Sequence, residues 1–598
     1  MEMITRNRIS AASLFVSLLA FVIFVVYVLY INQEVLYTAD DRSEFLYGAP
    51  FFHTLMQKPF GLIQYVGAWL TQLFYYPILG AGVLMAIWTL IFIVGVKVFR
   101  LQGGAPALML LPIACLLTSI VDLGYWIYIF SIRGYWFSQS VGYLLMLLLL
   151  WAARSTPRKW HLAWYLFAFC LYPVLGWFAM LFVLCLALTE KPTWRELIGI
   201  LLLLFFAAVW HSLLYSNQNI DDVLLAGLPR FITPIDNGPH LSIPFWLLGF
   251  ISIFLPFFRR LGDFPFGRLA MPVLSVLASI IFTLSLMFQD KNYFAEMRMV
   301  RYAEADNWQG VLHLAEKCGE PTSTMVFLKN TALMNEGGLL DRSFKMGNSY
   351  SDIYDPDSIH AGLLNIASPL VYYNYGKINL AIRLCYENVV STGFSPFYLK
   401  ILARCARATG EEKVVERYTT LLHHHPFYTN WQPPMVTDKV NELQKNFVDE
   451  INGVDNNSEG YIIDNFSFST DTISKVVSEQ ALFYSMMRCD SRCFWASLRN
   501  YVKLHLEEKF PLHAQEAYIM YMDKAPEEKR MMLPVEQPVY DRYKQFWKKL
   551  ESLVRSGKAL EKVGEEMRDE WEDTYWYYNI FGRKIIIPNS SEHNQVAS

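Results

Sequence analysis

After Asp290 the chain has no stretch of about 20 apolar residues, although before that point such stretches follow one another closely. Other things are scarce throughout. A formal net charge of -3 gives no basis for a nucleic-acid partner. The eight cysteines are scattered and do not form a disulfide framework, and near Cys489 and Cys493 no second Cys or His pair stands at zinc spacing. No row of charges runs through the apolar stretches, so an ion pump or proton-coupled transporter is unsupported. What remains is a chain that is 54% hydrophobic yet 18% charged, an average of two unlike halves. This composition predicts an all-α, multipass membrane protein, with a transmembrane domain over 1–289 and a soluble helical domain over 290–583.

Hydropathy places spans near 11–32, 77–97, 105–121, 136–153, 160–172, 174–189, 196–214, 244–258 and 268–289, about nine in all. The segment His161–Thr189 is long for one span and short for two. Pro173 and Gly176 at its middle predict a short helical hairpin. The segment 61–76 carries Gln64 and Gln72 and ends at Pro77, which predicts a helix lying at the membrane interface. Lysine and arginine then set the orientation. Arg6, Arg8, Lys97, Arg100, Arg154, Arg158, Lys159, Lys191, Arg195, Arg259, Arg260 and Arg268 fall in one set of connections. Only Arg42, Lys58, Arg133 and Arg230 fall in the other, a bias of about three to one. The N-terminus is therefore expected in the cytoplasm and the C-terminal domain on the outer side of the membrane.

Three connections face outward under this topology. The first, Gln33 to Phe60, concentrates Glu34, Asp40, Asp41 and Glu44 beside the first span. Paired carboxylates there can take a proton from an attacking hydroxyl or bind a divalent metal ion; they are also ordinary residues of a solvated loop or helix cap. The second, Asp122 to Ser138, is rich in Tyr and Trp around Arg133 and fits an interfacial aromatic belt. The third, Tyr215 to Ile243, holds Asp221, Asp222, Arg230, Asp236 and His240 and is longer than connection alone requires.

In order along the chain, one upright span leads to the acidic stretch TADDRSEF, an interfacial helix over KPFGLIQYVGAWLTQLF, and YYP entering the second span. Short paired helices stand mid-chain. This series resembles the membrane module of the C-type glycosyltransferases, multipass enzymes that use polyprenyl-phosphate-linked sugars. The resemblance implies an inverting transfer to an extracytoplasmic acceptor, with Asp40 or Asp41 as catalytic base or metal ligand. Arg42, Lys58, Arg133 and Arg230 would hold the donor phosphate. A divalent metal ion is the one cofactor it implies. This sequence departs from the pattern in having no second acidic motif at a clear position and no dense outer cluster of basic residues. The whole chain also resembles a family of Bacteroides-type multipass membrane proteins without an assigned activity.

From Asn292 onward apolar residues recur at helical spacing. Gly376 and Gly410 stand 34 residues apart between paired helical segments, the tetratricopeptide period, and Ala403, Ala406 and Ala408 form a small-residue stripe suited to close packing. A tetratricopeptide-like solenoid is expected, with a concave surface for an envelope protein or glycan acceptor. The alternative to an enzyme is a non-catalytic membrane scaffold built on that surface. His423, His424 and His425 point to different faces of a helix end and are not expected to chelate one ion. Cys489 and Cys493 are expected on one face of a single helix. The tail 584–598 is expected to be disordered.

Overall fold

The computed structural model describes all residues except 1, 44, 129–132, 189–192, 230–241, 259–264, 320, 349–359, 446–462, 464–473, 524–532 and 583–598. Among the described residues there are helices and turns and no strand. The chain divides into two compact units. The first is Met1–Asp290 together with Val389–Leu399 and Thr419–Trp431; the second is Lys291–Asn388, Lys400–Tyr418 and Gln432–Ser598.

In the first unit, α1 (Glu2–Ile31) is followed by three short helices, α2 (Gln33–Asp41), α3 (Ala49–Met56) and α4 (Gly61–Thr71), before α5 (Pro77–Phe99). Then come α6 (Leu110–Val121), α7 (Tyr135–Arg154), α8 (His161–Cys170), α9 (Tyr172–Leu175), α10 (Trp177–Leu188), α11 (Trp194–Leu213), α12 (Ile220–Leu224), α13 (Ile243–Phe254) and α14 (Pro265–Leu286). Each expected span coincides with helix, but length separates them. Five described stretches are long and apolar enough to cross a membrane: Ala11–Ile31, Pro77–Phe99, Tyr135–Arg154, Trp194–Leu213 and Gly267–Leu286. Ala105–Val121, Trp177–Leu188 and Ile243–Phe258 are shorter, and α8 has only 10 residues.

Helices that are apolar on every side must be held together by shape and by the few polar groups they carry. Trp88 Nε1 donates to Ser140 Oγ at 2.9 Å between α5 and α7, Thr118 meets Thr283 at 3.1 Å between α6 and α14, and Tyr143 meets Ser252 at 2.9 Å between α7 and α13. His161 Nδ1 and Glu196 Oε1, both buried, join α8 to α11 at 3.1 Å. The expected break in 161–189 falls at Pro173 and Gly176. Gly176 has φ of 55°, and a Cβ there would stand 2.4 Å from the Ala226 carbonyl oxygen, so no other residue fits.

The two sets of connections gather at opposite ends of this unit. At one end Arg154 donates to the Val98 carbonyl at 2.7 Å, Arg195 reaches the Arg158 carbonyl, and Gly104 packs on Gly267. At the other, Phe60 N–H donates to the Pro173 carbonyl at 2.8 Å and Trp177 N–H to that of Ala226 at 3.0 Å. The helix over 61–71 packs on α7, where Gly67 lies against the backbone at Gly134.

The second unit is made of amphipathic helices. Gln537–Arg555 buries Val539, Tyr543, Phe546 and Leu550, one stripe at steps of three and four, and leaves its charges outside. Phe344 centres an aromatic core with Phe483, His513, Tyr575 and Tyr578. The helices His360–Asn374 and Ile378–Thr392 turn at Gly376, and the helices Pro396–Ala408 and Glu412–His423 turn at Gly410. Both glycines are left-handed, with φ of 74° and 75°, which explains their recurrence. Cys489 and Cys493 are not on one helix. Cys489 caps Lys475–Arg488 with φ of 57°, and Cys493 lies in the following helix, Ser491–Leu504. A left-handed residue ends the first helix between them, which a spacing rule does not see.

Candidate functional site

The acidic stretch after the first span is not an exposed loop. It is α2, nine residues long, with Glu34, Val35, Leu36, Thr38, Ala39, Asp40 and Asp41 all buried. Asp40 and Asp41 end this helix, and Arg42 is its C-cap. Burying two carboxylates at a helix C-terminus opposes both solvation and the helix dipole, so the site must supply partners.

Asp40 receives one from far along the chain. His425 Nε2 donates to Asp40 Oδ1 at 3.0 Å, with the two side chains 1% and 0% exposed. The other ring nitrogen, Nδ1, accepts the backbone N–H of Phe427 at 3.3 Å, so the proton belongs on Nε2. Both imidazole nitrogens are thereby used within the protein. Aromatic rings close around them: Tyr428 lies 4.7 Å from the His425 ring, and Tyr75 stacks on Phe427 at 5.2 Å and meets Tyr428 edge-on at 5.0 Å.

Of the four basic residues expected at the donor phosphate, two border this region. The Arg42 guanidinium carbon lies 3.9 Å over Phe397 and 5.3 Å from the rings of Tyr128 and Tyr398. Arg133 stands 5.6 Å over Phe51 and fills the space at Gly393, where a Cβ would meet its guanidinium at 1.6 Å. Gly393 has φ of 89° and is required on both counts. Lys58 is exposed at the end of α3. Arg230 lies outside the described residues, as do Glu44, Asp236 and His240.

The three consecutive histidines go to three partners. His423 Nε2 meets the Trp431 carbonyl at 2.9 Å, His424 stacks on Tyr47, and His425 holds Asp40. Among the described residues no group of three or more His, Cys, Asp or Glu could hold a metal ion. The pairing of Asp40 with His425 was missed in the sequence because the two stand 385 residues apart. The run HHHPF carries the only hint of it, as an imidazole beside a helix-ending proline.

These features define a helical protein with several helices long and apolar enough to cross a membrane and a buried acidic helix after the first. Residues 7–582 match DUF6057, a family of unknown function, and the chain belongs to that family. No curated protein and no solved structure matches it.

Proposed function

We propose that this protein is an inverting membrane glycosyltransferase that moves a sugar from a polyprenyl-phosphate donor to an extracytoplasmic acceptor. The observation that carries the reading is the burial of Asp40 and Asp41, 0% and 5% exposed, directly after the first apolar helix. Burying carboxylates costs stability unless partners compensate, and service as a general base gives that burial a chemical use. In this reading one aspartate takes the proton of the acceptor hydroxyl. The freed oxygen attacks the anomeric carbon, and the bond from that carbon to the phosphate oxygen breaks, releasing polyprenyl phosphate. Asp41 is the better base, being nearer solvent, while His425 orients Asp40. Arg42 and Arg133 are the phosphate contacts, and reaching a phosphate requires Arg42 to swing off Phe397. The shorter apolar helices complete a nine-span bundle, the basic end faces the cytoplasm of the inner membrane, and the paired helices of the second unit form a tetratricopeptide-like surface that presents the acceptor.

One observation favours the scaffold instead. His425 has no ring nitrogen left for chemistry, so the Asp40–His425 pair also reads as a structural fastening. Turnover of polyprenyl-phosphate sugars by the purified protein separates the two. Loss in Asp41→Asn with folding intact supports the transferase; equal turnover in wild type and variant, or none in wild type across a broad donor panel, removes it.

A further inference from the structure

At the end of the first unit that collects the basic connections, the turn between α7 and α8 and one face of α8 form an open groove of about 490 Å³. It is lined by Thr156, Pro157, Trp160, Ala163, Trp164 and Phe167. The groove is built. Trp164 Nε1 donates to Thr156 Oγ1 at 2.9 Å, which pins the ring against the turn, and Phe167 meets Trp164 edge-on at 5.8 Å. Trp160 and Phe167 remain 54% and 46% exposed, an unusual cost for aromatic side chains facing water alone. The apolar surface continues onto Leu166, Leu197 and Leu201, also exposed.

Among the described residues, the charged side chains exposed at the rim are basic. Arg158 and Lys159 are exposed beside Trp160, and Arg195 lies 5.3 Å over the exposed Trp194. The one carboxylate among the described residues of α7, α8, α10 and α11, that of Glu196, is buried against His161 and Thr193 and offers no repulsion at the surface. Tryptophan with Lys and Arg at the end of apolar helices is the composition of a membrane interface, and basic pockets between such helices suit acidic headgroups.

We infer that this groove is a binding site for an anionic bilayer phospholipid, independent of the transferase reading. Its phosphate lies against Arg158, Lys159 and Arg195, and an acyl chain lies along Trp160, Trp164 and Phe167. A neutral phospholipid fills the groove but gains nothing from the rim. A free anion gains from the rim but leaves the groove bare.

Native mass spectrometry of the delipidated full-length protein with phosphatidylglycerol or phosphatidylcholine tests this. Wild type should retain phosphatidylglycerol preferentially, and each basic side chain at the surface should contribute about fivefold. The triple variant Arg158→Gln/Lys159→Gln/Arg195→Gln should lose about a hundredfold of that preference. Trp160→Ala/Phe167→Ala should lower retention of both lipids. Equal retention of the two lipids by wild type, or an unchanged preference in the triple variant, overturns the site. Displacement of phosphatidylglycerol by inorganic phosphate alone would reassign it to a free anion. Arg158 and Lys159 are exposed, whereas Arg195 is half-buried and donates to the Arg158 carbonyl, so the double variant Arg158→Gln/Lys159→Gln should melt with wild type and decide the matter even if the triple or the aromatic variant does not fold.

Discussion

The first unit turns apolar side chains outward and joins polar ones inside, whereas the second does the reverse. Ile78 is 86% exposed and Leu204 74%, while Trp88, Ser140, Thr118 and Ser252 are buried and hydrogen-bonded. In the second unit the aromatic residues around Phe344 are buried and the charges of Gln537–Arg555 face out. The two surfaces call for two solvents, hydrocarbon and water. Both units also bury charged groups. The first unit buries Asp40 with an imidazole as its partner. The second buries Lys329, 2% exposed, with oxygens alone: its Nζ donates to the carbonyls of Ser343 and Gly347 and to Asn348 Oδ1.

This contrast can be broken from either side. His425→Ala should have the largest effect, because it leaves the Asp40 carboxylate buried without its imidazole; about 3–5 kcal/mol of the first unit's stability should go, read by denaturation in mild detergent. Adding Asp40→Asn to His425→Ala should restore part of it, and a double-mutant cycle measures how much.

Lys329→Met should cost about 2–3 kcal/mol, since it leaves three buried oxygens without their donor. Burial holds the Lys329 amine well below its ordinary value of 10.5, so between those limits the unfolded chain binds more protons than the folded one. Stability should then rise with pH through that window in wild type and not in Lys329→Met. Denaturation at neutral pH and near the upper limit, wild type minus variant, removes the contribution of every other group.

Gly393→Ala sharpens the account of the first unit. A Cβ there meets the Arg133 guanidinium, and φ of 89° is strained for alanine, so about 1–3 kcal/mol should be lost. Gly410→Ala, at φ of 75° with open space around it, should cost only the backbone strain, about 1 kcal/mol. Asn307→Ala should be the smallest change, also about 1 kcal/mol or less, because one helix N-cap bond to Gly310 N–H is lost at the surface.

How much of this was legible depended on the range of the interaction. Helix positions, the break at Pro173 and Gly176, and the paired turns at Gly376 and Gly410 follow from local periodicity and left-handed backbone, and the residues announce them. The number of crossing helices was less legible, because α8 and α10 are apolar enough to suggest spans and too short to complete them alone. The site was least legible. TADDRSEF reads as a loop because its charges outweigh its helical pattern, and only distant partners make its burial affordable. His425 and Phe397 come from segments that composition assigns to the water-facing half, yet they pack in the first unit with Asp40 and Arg42.

The proposed transferase stands on Asp41 as its base at the end of α2. Single-turnover transfer from a polyprenyl-phosphate sugar, wild type against Asp41→Asn and Asp40→Asn with thermal stability measured in parallel, tests it most directly. The account predicts at least a hundredfold loss of transfer in Asp41→Asn, in line with removal of a general base, at an unchanged melting temperature. Transfer by Asp41→Asn and Asp40→Asn at the wild-type rate would contradict it and leave Asp40 and His425 as a fastening within the first unit.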